Sequence, residues 1–175
     1  MSGFHSAANQ NGNVVVREAE NNADYDAAKE LMIEYMQTAL GDDYAVGGAG
    51  LKEELEDFPG PYRAPSGLLL LSYLNHQPCG CLALRPFTST AGEVMRMYVQ
   101  PSARGKGIAE MLMRNLIEKA RAAGYKELYL DSLKRFAAAH KLYEKLGFTY
   151  CEPYSSDTTD AMRSSMVFMR LALSH

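Results

Sequence analysis

Val99-Gln100-Pro101-Ser102-Ala103-Arg104-Gly105-Lys106-Gly107-Ile108-Ala109 is the stretch on which the fold turns. An apolar strand runs into a proline-started loop, and the loop runs into a helix. A helix start leaves backbone N–H groups unpaired and carries a partial positive charge. Gly105 and Gly107 remove side chains where a ligand could approach that backbone, and Arg104 and Lys106 add cationic reach. Together these features fit a pyrophosphate cradle, with a flexible turn capping a surface helix as the plain alternative. A Walker loop is excluded, because Gly107-Ile108 follows Lys106 where a glycine-lysine-hydroxyl run is needed. A dinucleotide fold fits poorly. Asp131 ends the next strand, where a ribose-binding acid would stand, but Glu110 occupies the third glycine position.

Downstream of the loop, residues 107–123 carry Ile108, Leu112, Leu116 and Ala120 on one helical face and Glu110, Arg114, Glu118 and Arg121 on the other. Residues 127–131 alternate as a strand, and residues 135–146 read as a second amphipathic helix closed by Gly147. Residues 148–152 and 165–173 read as the last two strands, with a polar loop between them.

Upstream, residues 93–99 read as a fourth strand. Residues 67–74 and 78–85 form a hairpin about Asn75-His76-Gln77. Cys79 and Cys81, two apart on that second strand, are expected on one face of it. Residues 51–58 form a short helix. A longer one runs from the Asn21-Asn22 caps through Ala28, Leu31, Met32, Tyr35 and Ala39 to Gly41. Residues 13–18 open the sheet. This order predicts an α/β fold: a mixed, mostly antiparallel sheet of about seven strands flanked by about four helices. Residues 1–12 read as a polar, disordered leader, and residues 13–175 as one domain.

Two signatures, in order, resemble one known family. Arg104-x-x-Gly107-x-Ala109 is similar to the Arg/Gln-x-x-Gly-x-Gly/Ala signature of the GNAT superfamily of N-acetyltransferases. Ala139-His140-Lys141-Leu142-Tyr143-Glu144-Lys145-Leu146-Gly147-Phe148 is similar to its Ala-x-x-x-Tyr-x-x-x-Gly-Phe signature. Glu93-Val94-Met95-Arg96-Met97-Tyr98-Val99, followed by Pro101, resembles the family's fourth strand. One departure stands out: Phe136 occupies a position where the family often has an asparagine touching the cofactor.

The resemblance implies a sheet splayed between its fourth and fifth strands, with acetyl-CoA as co-substrate and no metal. It implies that the backbone of Arg104, Gly105, Lys106, Gly107, Ile108 and Ala109 holds the pyrophosphate. Met97, Tyr98 and Val99 would pair with the pantetheine arm, and a backbone N–H there would polarise the thioester carbonyl. Glu93 stands where several members place a carboxylate base; the bland alternative is a surface acid. Tyr143 matches the tyrosine that faces the cofactor sulfur, with a core position beside Phe136, Ala139 and Leu146 as its alternative. The expected reaction is direct acetyl transfer to an amine. A non-catalytic acyl-CoA-binding module, or transfer of a longer acyl group, keeps the same cradle. Dimerisation is common in the family.

Composition narrows the partners. A net charge of -3 and the lack of a basic stripe argue against nucleic acid. No apolar run is long enough to span a bilayer, and no signal-like start is visible, so a cytoplasmic protein is expected. Three cysteines without a signal argue for free thiols, and the four scattered histidines predict no metal. Asp42, Asp43, Glu53, Glu54, Glu56 and Asp57, with Tyr44, Phe58 and Tyr62 among them, read either as an acidic rim that would draw a cationic amine or as a solvated helix face with a few packing aromatics.

Overall fold

In the computed structural model, which describes residues 12–43 and 50–174, Asn75 and His76 both take positive φ, +50° and +67°. That conformation makes a two-residue turn whose twist matches a hairpin. It folds β2 (Leu68–Leu74) antiparallel onto β3 (Gln77–Pro86), with Leu74 opposite Gln77. β1 (Val14–Glu18) pairs with the outer edge of β2, and β4 (Ala91–Val99) with β3, both antiparallel. After the helix that follows β4, the chain returns as β5 (Glu127–Leu133), parallel to β4. β7 (Met166–Ala172) and the two-residue β6 (Thr149–Tyr150) complete a seven-stranded sheet in the order β1-β2-β3-β4-β5-β7-β6.

The four neighbouring leucines of β2 read as a strand covered on both faces, and each face has its own layer. Leu70 packs with Leu82, Leu84, Leu128 and Leu130 beneath α3 (Ile108–Ala122) and α4 (Ala137–Lys145), while Leu69 and Leu71 pack beneath α1 (Asn22–Glu34) and α2 (Leu51–Glu56). Every apolar residue expected on the inner stripe of α3 is buried, from Ile108 at 2% exposure to Ala120 at 0%. Each of the Ile and Leu side chains of that stripe contributes about 1.5–3 kcal/mol of burial free energy. The sheet's two faces are therefore fixed by alternation in β2 and by one stripe on α3.

Three details depart from the sequence reading. Cys79 and Cys81 lie on opposite faces, Cys79 against the α3 layer and Cys81 against the α1 layer. The register shifts at Ser72/Tyr73, so that Gly80 faces Ser72 while Pro78 faces Tyr73, and the extra residue inverts the alternation. The polar loop before β7 holds a short helix, α5 (Asp160–Ser165), capped by the Thr159 hydroxyl, which accepts the Met162 N–H at 3.2 Å. The first helix changes to a π-helical turn over Tyr35–Leu40, where the Thr38 hydroxyl donates to the Glu34 carbonyl at 2.7 Å. The expected leader falls outside the described residues except for Gly12, as do Tyr44 and residues 45–49 of the supposed rim.

Candidate active site

The sheet forks at its centre. β4 and β5 pair only at Ala91↔Glu127, Gly92↔Leu128 and Glu93↔Tyr129; beyond these, β4 runs on to Val99 and β5 to Leu133 without pairing to each other. The cause lies in β4. Between the pairs Ala83↔Met95 and Cys81↔Tyr98 it carries one residue more than β3, and Arg96 takes a φ of +56° there. An extra residue bends and twists a strand. It also turns Arg96 toward the α2 side, where its guanidinium meets Glu54 at 2.9 Å, with both side chains under 10% exposed (7% and 8%).

The fork opens a cleft of about 760 Å³, within the range of small-molecule sites. Met97, Tyr98 and Val99 line one wall; Leu130, Asp131, Ser132 and Leu133 line the other; Arg104, Gly105, Gly107, Ile108 and Ala109 close one end. Lys106 stands off that wall. Gly105 and Gly107 have φ of +76° and +74°, and a Cβ built on either would meet nothing within 4 Å. Both glycines are therefore required by backbone conformation, and both leave the backbone bare. α3 has no side-chain N-cap, and its first intrahelical bond runs from Met111 N–H to the Gly107 carbonyl at 3.1 Å. The N–H groups of the first turn thus point into the loop, as a pyrophosphate site requires.

Two charges near that loop are otherwise engaged. Arg104 donates from Nε to the Val99 carbonyl at 3.0 Å, closing off the end of β4. Glu110, which would repel a phosphate, is drawn aside by Arg114 at 2.8 Å and by Lys145 of α4 at 2.8 Å. Those cations hold its carboxyl below the usual range.

Tyr143 enters the cleft from α4. It is 6% exposed, its ring lies 5.8 Å from that of Phe148, and its hydroxyl has the Met97 sulfur at 4.0 Å as a weak partner. Burial pushes the phenol well above its ordinary pKa, so it remains a proton donor at neutral pH. Behind it, His140 bonds through Nε2 with the Ser132 hydroxyl at 3.0 Å and fastens α4 to β5. Phe136 lines the cleft at the start of α4, with the Arg135 guanidinium 4.6 Å from its ring centre.

Glu93 is buried at the crotch of the fork, 6% exposed, rather than on the surface. Arg85 donates to its Oε2 at 2.8 Å, and Tyr154 donates to its Oε1 at 2.9 Å. Asp131, weighed in the sequence only as a ribose ligand, proves to be a cleft residue. Burial and then the Glu93 charge push its carboxyl up to about 6. Arg96, Arg85 and Tyr154 were not legible as site residues, because a bulge and a non-local packing bring them there. Glu54 is not part of a free acidic rim: it is turned inward onto Arg96 and accepts the Tyr62 hydroxyl at 2.6 Å. Glu53, Glu56 and Asp57 remain exposed.

A forked mixed sheet with a bare glycine loop at a helix start, and a tyrosine aimed into the fork, narrows the comparison to acyl-CoA chemistry. The profile of the Acetyltransferase (GNAT) family matches residues 25–148. The chain belongs to the GNAT family of acetyltransferases. This acetyltransferase is 31% identical over 153 residues to an uncharacterised N-acetyltransferase of Schizosaccharomyces pombe, covering 86% of the chain and 90% of that relative. It is also 31% identical over 159 residues to N-acetylaspartate synthetase of Danio rerio; that match takes in 87% of the chain and spans only 52% of the synthetase. A structure from Salmonella typhimurium that contains its cofactor acetyl-CoA superimposes with a TM-score of 0.64 at 22% identity, covering 93% of this chain and 95% of that one. Transfer of an acyl group from an acyl-CoA is the chemistry of the family to which the chain belongs. Among the described residues no helix is long and apolar enough to cross a membrane, and no group of three or more His, Cys, Asp or Glu could hold a metal ion.

Proposed function

We propose that the protein is an N-acetyltransferase that moves the acetyl group of acetyl-CoA directly onto a small primary amine. One observation carries this reading: a single cleft holds the bare glycine loop, the unpaired stretch of β4 and the Tyr143 hydroxyl. Backbone N–H groups of Arg104, Gly105, Lys106, Gly107, Ile108 and Ala109 would receive the pyrophosphate. Met97, Tyr98 and Val99 would pair with the pantetheine arm, and an N–H beside the Arg96 bulge would polarise the thioester carbonyl. The bound thioester supplies an activated acyl carbon. The amine attacks that carbon, its proton leaves to the carboxylate pair Glu93 and Asp131, and Tyr143 donates to the departing sulfur.

Either an amine or an alcohol must shed a proton as the acyl bond forms, which the carboxylates at the fork could take up; the names of the relatives, an N-acetyltransferase and N-acetylaspartate synthetase, favour the amine. The cleft does not favour a polycation. Arg85, Arg96 and Arg135 balance Glu54, Glu93 and Asp131 around it. A zwitterionic amino acid therefore stands first among acceptors, and L-aspartate first among those, given the Danio rerio relative's name.

Calorimetric titration with acetyl-CoA, followed by thiol release with L-aspartate, spermidine and an alanine-terminated peptide, tests this. Binding with amine-dependent thiol release is expected. Binding without release from any amine would favour a non-catalytic module, and stronger competition by longer acyl-CoAs would favour a different acyl donor.

A further inference from the structure

We propose that Asp131 is the residue that takes the acceptor's proton, and that the Glu93 charge supports it electrostatically. The inference rests on the acetyl-transfer reading above and names the residue that performs one of its steps.

Geometry separates the two carboxylates. Glu93 has both oxygens occupied: Oε2 by Arg85 and Oε1 by the Tyr154 hydroxyl. It does not line the cleft. Asp131 does, two residues past Tyr129, the last residue of β5 in register with β4. Strand alternation puts Asp131 on the same face of β5 as Tyr129, whose ring lies 4.9 Å from that of Tyr154. That face is opposite the one where Leu128 and Leu130 meet α3. Asp131 thus looks into the fork from the face that carries Tyr129 and Tyr154, while Tyr143 enters from the α4 side. Among the described residues no hydrogen bond or ion pair engages the Asp131 carboxylate, so its lone pairs are available.

The charged and titratable groups around Asp131 come from five elements: Glu93 and Arg96 of β4, Arg85 of β3, Tyr35 of the π-helical turn, Tyr143 of α4, and Tyr154 in the segment before α5. Burial and Glu93 raise the carboxyl; Arg96 and Arg85 pull against them. A base tuned near neutrality is both ionised in the cell's pH range and strong enough to accept a proton.

The step balances as follows. The lone pair of the neutral amine forms the C–N bond to the acyl carbon. The C–S bond breaks, and its electron pair leaves with sulfur. One N–H proton of the adduct, far more acidic than a free ammonium, passes to a carboxylate oxygen of Asp131. The thiolate receives a proton from the Tyr143 hydroxyl, which solvent then restores. Amine and thioester become amide and thiol, with no oxidant or reductant.

The test is a pH–rate profile for wild type, Asp131→Asn and Glu93→Gln, using the fastest amine of the panel, with acetyl-CoA titration of each protein. Wild type is expected to lose kcat on acidification with a midpoint near the raised carboxyl value of about 6. Asp131→Asn is expected to drop kcat by about 10²-fold or more, to flatten that acidic limb, and to bind acetyl-CoA as wild type does. Glu93→Gln keeps the limb but moves it to lower pH, because the like charge is gone.

A second readout is independent of turnover. A carboxyl raised in the folded state costs stability as pH climbs from 3.8 through about 6. Asp131→Asn therefore melts above wild type at pH 7 to 8, and the gap closes below pH 4. An Asp131→Asn enzyme that keeps the acidic limb, loses less than tenfold in kcat, or melts below wild type at neutral pH overturns the assignment to Asp131. Wild type that binds no acetyl-CoA overturns the acetyl-transfer reading itself, and the assignment with it.

Discussion

Replacing Arg96 by methionine strips the bulge of its one charged side chain and leaves Glu54 buried. The two groups meet at 2.9 Å with 7% and 8% of their side chains exposed, and Arg96 Nε adds contacts of 3.3 Å to both Glu54 oxygens. Water cannot take over for the lost guanidinium at that depth. Removing one partner of such a pair costs about 3–5 kcal/mol. For a chain of this length each kcal/mol shifts the melting temperature by roughly 2–4 °C, so Arg96→Met should melt about 6–20 °C below wild type. The double variant Arg96→Met/Glu54→Leu removes the stranded charge. It should recover most of the loss, less about 1–3 kcal/mol for the Tyr62 hydroxyl that Glu54 no longer accepts. Urea midpoints for the four proteins of this cycle give the coupling directly. A single variant that costs under about 1 kcal/mol, or a double variant whose loss is the sum of the singles, would refute the claim that a desolvated ion pair clamps α2 to the bulge.

Two further outcomes follow from the site and a third from the start of α1. Gly107→Glu places a carboxylate at the start of α3 on a residue with φ of +74°, and calorimetry should find acetyl-CoA affinity lost by more than about 10²-fold while the fold persists. Tyr143→Phe should lower kcat by roughly 10²-fold with the acetyl-CoA Kd unchanged; wild-type turnover would remove the phenol from the mechanism. Asp24, 3% exposed and bonded by Arg17 at 2.7 Å, has its carboxyl held far below 3.8 by that guanidinium. Its contribution is fully present above pH 3.8 and is lost as pH falls through the depressed value, so Asp24→Asn should lower the neutral-pH melting temperature and reduce the loss on acidification below pH 4.

The sequence carried the fold because its deciding signals are local. The α3 stripe, the glycines at 105 and 107 and the strand before them all lie within a few residues of one another. The hairpin at Asn75-His76 was legible for the same reason. Cys79 and Cys81 were misplaced because one inserted residue in β3 inverts the alternation, and no local pattern marks the insertion. Tyr143 and the cradle were recognisable as motifs. Asp131 was visible only as an acid ending a strand, since its place in the cleft depends on where β4 stops pairing with β5. That divergence comes from the bulge at Arg96, whose positive φ no residue type announces. Arg85, Glu93 and Tyr154 meet across 61 residues of chain between Glu93 and Tyr154, a separation beyond any spacing rule.

A sheet that forks at its centre has four edges instead of two. The inner pair, β4 beyond Glu93 and β5 beyond Tyr129, presents backbone donors and acceptors to a gap rather than to a neighbour. Such edges invite a foreign strand, and the kink at Arg96 together with the Pro101–Ala103 turn shortens the flat length that one could occupy. In the proposed binding mode the acyl donor would fill that gap in place of a strand, and the coenzyme would then also be a folding ligand. At a hundred times its Kd it would add about 2.7 kcal/mol to stability. The protein's resistance to unfolding, and to capture by other chains, would then follow the supply of acetyl-CoA around it.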